Sequence, residues 1–377
     1  MPRRPLPLLL ALTLCFALPF GIAACQRPAE PSATARPSAS DTLRYASGFT
    51  LSSEGGDPYA DIGAERFLLL DSAAAVPPGA AAGATVVRVP VRRIVTLSTT
   101  HLGFLDRLGA SGRVVGVSGG AWVNTPAIRA RLVSGAAADV GQTPSAEAIA
   151  ALRPDVVFAS AGEGDPVVAA LRTLGIPVVP VAEYREAHPL GRAEWLRLFG
   201  AFVGRADTAQ VAFDTVAARY ERLAARARDA APRPTVLLNS PYRGIWYVPG
   251  GRSFAARQMA DAGGAYVWAD DSSATTLSLS LETVLARAQH ADLWLAPGAW
   301  RSLADGAAQE PRVRLFDAFR AGRVFNFDAR LSDGGGFDVY ETGVVQPDLV
   351  LADLVSILHP ALLPGHRRVY FRAVPAR

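Results

Sequence analysis

The chain of 377 residues has no lysine, only five histidines and only two cysteines. Cys15 and Cys25 both lie near the start, so everything after Cys25 is free of disulfides and of thiol chemistry, and the fold must rest on an ordinary core. Half of the residues are apolar, and the length is sufficient for two lobes. Without lysine, the glycine clusters at Pro249–Gly251 and Gly334–Gly336 cannot be phosphate cradles of the Walker type, and no G-x-G-x-x-G opens a helix after a strand. They read as turns near a cleft. All 38 cations are arginine, which reflects base composition more than a binding device. They are nearly balanced by 34 acids, which argues against nucleic acid as a partner. No two of His101, His188, His290, His359 and His366 are spaced as a ligand pair, so direct metal ligation by clustered side chains is not expected. Only His101, just after a predicted strand, stands where an α/β sheet presents ligands.

The N-terminus has the charged, apolar and small-residue layout of an export signal: Arg3 and Arg4, an apolar run Leu6–Phe20, then Gly21–Ala24 before Cys25. The run is short for a bilayer of about 30 Å and contains Pro7 and Pro19, so a permanent transmembrane helix is the weaker reading. Ile22–Cys25 resembles the lipobox of bacterial lipoproteins. That resemblance implies a signal peptide over 1–24, with Cys25 as the acylated N-terminus that ties the protein to a membrane. Residues 25–41, rich in Pro, Ala and Ser, read as a tether.

Short strands are expected at Leu43–Leu51, Phe67–Leu70 and Thr85–Val89. From Arg93 onward, short apolar runs alternate with helical stretches: Arg93–Leu97, Arg113–Val117, Asp155–Ala159 and Ile176–Val181, then Thr235–Asn239, Ile245–Val248, Asp292–Ala296 and Val324–Phe327. This alternation implies parallel sheets covered by helices. Between the two sets, Asp207–Asp229 lacks Gly and Pro and repeats small or apolar residues at Ala212, Val216, Tyr220, Leu223 and Ala227, the spacing of one helix face. The fold class is therefore α/β: two Rossmann-like lobes with parallel sheets (42–204 and 231–377) joined by one long α-helix (205–230). A closing helix is predicted at Pro347–Leu358. The lobes echo each other, with Ser145 and Glu147 before the strand at Asp155, and Ser280 and Glu282 before the strand at Asp292. Helix capping accounts for both pairs.

In Arg93–Ser98, Pro144–Val157, Leu174–Val179, Pro249–Phe254, Tyr340–Gly343 and Pro347–Leu351, the chain resembles the helical-backbone class of periplasmic substrate-binding proteins of ABC importers for ferric siderophores, haem or cobalamin. The resemblance covers about Arg93–Pro360 and rests on the order of these stretches around one long helix. It implies a monomeric extracytoplasmic receptor, not an enzyme, without cofactor. Such a receptor captures a metal chelate between its lobes, a ferric siderophore first and cobalamin next. It delivers the chelate to a permease and ATPase complex. The resemblance also implies that one Glu per lobe docks on the permease; Glu147 and Glu282 match, and capping and docking are compatible.

Loops at the carboxyl ends of the predicted strands nominate ligand contacts: Thr100, His101, Trp122, Tyr242, Arg243, Trp246, Trp300 and Arg330. Aromatic faces suit a bulky chelate and arginine suits its oxyanions, although each tryptophan is equally at home in a core. Gly116–Gly120 spells G-x-S-x-G, the elbow of a secreted serine hydrolase with Ser118 as nucleophile. Gly119 and Gly120 make a poor helix start where that elbow needs a helix.

Overall fold

The computed structural model describes residues 42–79, 83–160 and 164–377. The expected leader and tether, with Cys25, lie outside the described residues.

Four strands come first: β1 (Thr50–Glu54), β2 (Asp57–Ile62), β3 (Glu65–Asp71) and β4 (Thr85–Val89), paired in that order, with β4 parallel to β3. The strand expected over Leu43–Leu51 starts only at Thr50, and β2 went unread. The reason lies in the amides. Arg44, Tyr45 and Ala46 donate their N–H groups to Glu194 at 2.8–3.1 Å, and Ser47 and Gly48 donate to Glu186 at 2.9–3.1 Å. Successive amides that converge on one carboxylate cannot alternate sides as a ladder requires. Both acids are buried, and Glu186 also accepts the indole N–H of Trp195 at 2.9 Å.

The first lobe is a parallel sheet of β5 (Ile94–Thr96), β6 (Val114–Val117), β7 (Ala138–Asp139), β8 (Val156–Ser160) and β9 (Val178–Val181) in the order β7-β6-β5-β8-β9. The second lobe contains β10 (Thr235–Leu238), β11 (Pro241–Tyr242), β12 (Ile245–Pro249), β13 (Ala265–Tyr266), β14 (Thr276–Ser280), β15 (Leu293–Leu295), β16 (Val324–Asn326) and β17 (Arg372–Ala373). Its main sheet runs β13-β10-β15-β16-β17, parallel except for the edge strand β17. The run Ile245–Val248 forms β12, which belongs to a separate antiparallel sheet, β11-β12-β14, and not to the parallel one.

The joining helix is Ala206–Arg228, about 35 Å long at 1.5 Å per residue. Its buried residues Ala209, Phe213, Val216, Ala217, Tyr220, Ala224 and Ala227 make one stripe, which packs on Leu196–Phe202 from the first lobe and Pro347–Leu358 from the second. The small residues let the helices approach, and the two rings fill the gaps. The Tyr220 hydroxyl ends on Asp261 at 2.9 Å.

Replacing Glu194 with Ala removes the acceptor of three backbone amides. At about 1–3 kcal/mol for a buried unsatisfied donor, a loss of roughly 2–4 kcal/mol in urea unfolding is expected. Amides 44–46 should lose hydrogen-exchange protection, and unchanged exchange there would refute the clamp.

Candidate functional site

A cavity of about 780 Å³ opens where the second sheet faces the last segment of the first lobe. Its second-lobe wall is the carboxyl edge of β10, β15 and β16, at Leu238, Asn239, Leu295, Ala296 and Phe327. The chain runs from β10 to β13 on one side and returns to β15 on the other, so the strand order reverses between β10 and β15. Helices then leave on opposite faces and a crevice is left at that edge. Asn239 and Ala296 directly follow these two strands with φ of +63° and +59°, a left-handed conformation that costs an L-residue about 1 kcal/mol or more. Hydrogen bonds hold both: Asn239 N–H donates to Leu295 O at 3.0 Å and Ala296 N–H to Phe325 O at 2.8 Å.

The opposite wall follows β9. Tyr184–Ala187 and the helix Pro189–Glu194 supply it, with Pro189 in the first turn and the imidazole of His188 accepting from Leu190 N–H at 3.0 Å. The helix Phe254–Asp261, capped by Ser253, adds Phe254, Gln258 and Met259, and Tyr340 and Val344 complete the lining. Apolar and aromatic surface dominates. Arg192 is the buried cation: its side chain is 11% exposed, its Nη2 stands 3.5 Å from Glu183, and its guanidinium lies 4.3 Å above the ring of Phe254. Burial pushes the Glu183 carboxyl up, with Arg192 opposing, and pushes the Arg192 guanidinium down, with Glu183 opposing. Burial also raises the Tyr340 phenol, which Arg192 counters, although its side is 47% exposed. A group that is open to solvent yet closely surrounded lies inside a cleft.

Beside the cavity, a strap from the second lobe is fastened to the first. The buried Glu341 carboxylate accepts the N–H groups of Asn124 and Thr125, each at 2.7 Å, and the Thr125 hydroxyl. Ser332 Oγ donates to Ala121 O at 2.8 Å. A Cβ on Gly336 would come within 2.2 Å of the Trp122 carbonyl, so this turn requires glycine. The Gly334–Gly336 cluster thus lets one backbone approach another.

None of the eight nominated ligand residues lines the cavity. Trp246 and Trp300 need correction: both are fully buried, packed with Trp294 at ring distances of 5.3 and 4.9 Å, their indoles donating to Leu238 O and Gln309. In β12, Ile245 and Tyr247 face out while Trp246 and Val248 face in, the parity of a sheet with one covered side. His101 is likewise buried in the first turn of the helix Thr100–Arg107, near Phe199, and offers no ligand surface. Thr100 pairs with Ser98 Oγ at 2.9 Å. Trp122 and Tyr242 are exposed, Arg243 sits 5.2 Å over the Tyr242 ring, and Arg330 pairs with Asp338 at 2.9 Å. Arg192, Tyr184, Phe254 and Tyr340 were the residues missed. Phe254 and Tyr340 stood inside stretches that carried the family resemblance.

Glu147 and Glu282 each occupy the second position of a helix, behind Ser145 and Ser280, whose hydroxyls accept from Ala148 and Thr283. Both are exposed; Glu282 pairs with Arg312 at 2.8 Å. The setting of Ser118 does not support the hydrolase alternative. Its hydroxyl donates to Gly141 O at 2.7 Å, a 3-10 turn follows in place of a helix, and none of the described histidines is hydrogen-bonded to it. Among the described residues, no three His, Cys, Asp or Glu gather as a metal set, and no helix is long and apolar enough to cross a membrane.

Comparison with known proteins places these features. Residues 94–331 match the family described as periplasmic binding protein. An uncharacterised lipoprotein of Methanocaldococcus jannaschii is 30% identical over 298 residues, which cover 76% of this chain and 69% of that one. The periplasmic heme-binding protein RhuT of Roseiflexus superposes with a TM-score of 0.57 at 24% identity, over 72% of this chain and 98% of that one. A structure from the ABC-type Fe3+-hydroxamate transport system of Saccharomonospora viridis gives 0.56 at 19%, over 72% and 94%. At such identities the two structures establish the fold.

The buried His101 generates a pH dependence. Burial lowers its pKa from the usual 6.5 to about 3, offset only in part by the Phe158 carbonyl. The folded state therefore binds fewer protons, so its contribution is complete above about pH 6.5 and is lost as pH falls toward 3. Between pH 7 and pH 5 this group should remove about 2 kcal/mol. His101→Leu should lack that part of the loss in urea titrations at the two pH values; equal slopes in both proteins would refute it.

Proposed function

Because this chain belongs to the periplasmic binding protein family, we propose that it is the extracytoplasmic receptor of an ABC importer, that its ligand is a bulky iron chelate of the ferric siderophore kind, and that Cys25 carries a lipid anchor. The observation that carries the reading is the cavity of about 780 Å³ between the two lobes, walled by aromatic and aliphatic groups at the reversal point of the second sheet. Its volume falls within the roughly 300–1,000 Å³ of small-molecule sites. No catalytic constellation accompanies it among the described residues. The solved structures named for heme and for Fe3+-hydroxamate transport support an iron chelate, and the relative named as a lipoprotein supports the anchor.

Delivery is assigned to Glu147 and Glu282, one exposed carboxylate at the same place in each lobe. Paired charges of this kind set register and speed encounter with a cationic permease surface.

Capture and delivery separate in two variants. Ala255→Trp, on a half-buried position of the cavity wall, should abolish binding of a ferric trihydroxamate and of iron protoporphyrin in tryptophan-fluorescence titration and native mass spectrometry. Replacing Glu147 and Glu282 with Ala should leave those affinities within about twofold while lowering transporter-dependent uptake by roughly tenfold or more. Loss of chelate affinity in the Glu variant, or normal affinity in Ala255→Trp, would overturn these roles.

A further inference from the structure

We propose that Arg192 and the Tyr340 hydroxyl form an oxyanion subsite in the cavity, so that the ligand enters as an anion and places a carboxylate-like or sulfonate-like group between them. This rests on the reading of the cavity as the capture site. A guanidinium has five N–H donors. Arg192 is nearly buried, and its ion-pair partner among the described residues, Glu183, is 3.5 Å away, beyond the 2.7–2.9 Å of a strong charge-assisted bond. Its Nε has no hydrogen-bond partner among the described residues. Burying a cation with so little compensation is costly, and structures retain such groups where a ligand completes them.

The surroundings aim this cation at the cavity. Phe254, from the second lobe, covers one face of the guanidinium at 4.3 Å, leaving its edge for hydrogen bonding. The one carboxylate on the lining, Glu186, is occupied by Ser47, Gly48 and Trp195. Tyr340 borders the same cavity as Arg192, and the nearby guanidinium opposes the upward push of burial on its phenol. Arg192 comes from the first lobe and Tyr340 from the second. An oxyanion between them would bond both, and so join binding to the lobe interface.

The test uses two dyes that differ by one charged group, 8-anilinonaphthalene-1-sulfonate and neutral N-phenyl-1-naphthylamine, titrated by fluorescence into the full chain. The variant is Glu183→Gln with Arg192→Met, so that no carboxylate is stranded in the core; thermal unfolding confirms that it folds. Wild type should bind the sulfonate about tenfold or more tightly than the amine. The variant should lose about tenfold for the sulfonate and stay within twofold for the amine. Arg192→Lys should keep part of the preference and Tyr340→Phe should reduce it. Equal losses for both dyes, or an unchanged sulfonate affinity, would overturn the subsite. Ala255→Trp separates the two levels of the argument. Dye binding that survives it refutes the cavity as the capture site. If it blocks both dyes while the Arg192 variant keeps the wild-type preference for the sulfonate, only the oxyanion subsite fails.

Discussion

The buried stripe of the helix Ala206–Arg228 is what holds the two sheets in register with each other. Ala209, Ala217, Ala224 and Ala227 bring it close to Leu196–Phe202 of one lobe and Pro347–Leu358 of the other, while Phe213, Val216 and Tyr220 interlock with both. A helix with all its hydrogen bonds internal resists bending, so the distance between lobes is set by packing more than by the flexibility of a linker. The cavity follows from that spacing. Carboxyl edges of the second sheet face a segment that leaves the edge strand of the first, and the gap between them is too wide to fill with the side chains present.

Irregular segments in this protein are secured by buried carboxylates. Glu194 gathers the amides of Arg44–Ala46, Glu186 those of Ser47 and Gly48, Glu341 those of Asn124 and Thr125, and Asp353 those of Val369, Tyr370 and Phe371. In each case several short hydrogen bonds compensate the desolvated charge. Glu183 differs. It is as deeply buried, yet faces only a guanidinium at 3.5 Å and its own local amides; burial pushes its carboxyl up, as it does that of Glu341. Arg192, the cation of this pair, lines the candidate cavity.

The misplaced tryptophans show how parity defeats loop-based reasoning. Trp246 and Trp300 follow strand ends in sequence, where ligand contacts are usual, but a local antiparallel sheet and a tight turn rotate both into an aromatic cluster around Trp294. Their indole N–H groups find acceptors there, which permits full burial. Tyr340 and Arg192 carried no such signal, since one lies in a 3-10 turn and the other on a six-residue helix, neither with a periodicity to follow.

Local composition and period determined the alternation of strands and helices, the long helix within a residue of each end, and the closing helix Pro347–Leu358, because apolar spacing and the absence of Gly or Pro act over a few neighbours. They also settled that the fold would stand without disulfides. Tertiary structure alone decided which aromatics face a cavity and which a core, why Arg44–Gly48 is no strand, and which cations line the cleft. Those outcomes depend on partners far away in sequence, such as Glu186 and Glu194 for the N-terminal amides and Phe254 and Tyr340 for Arg192, and no local pattern encodes a partner at that distance.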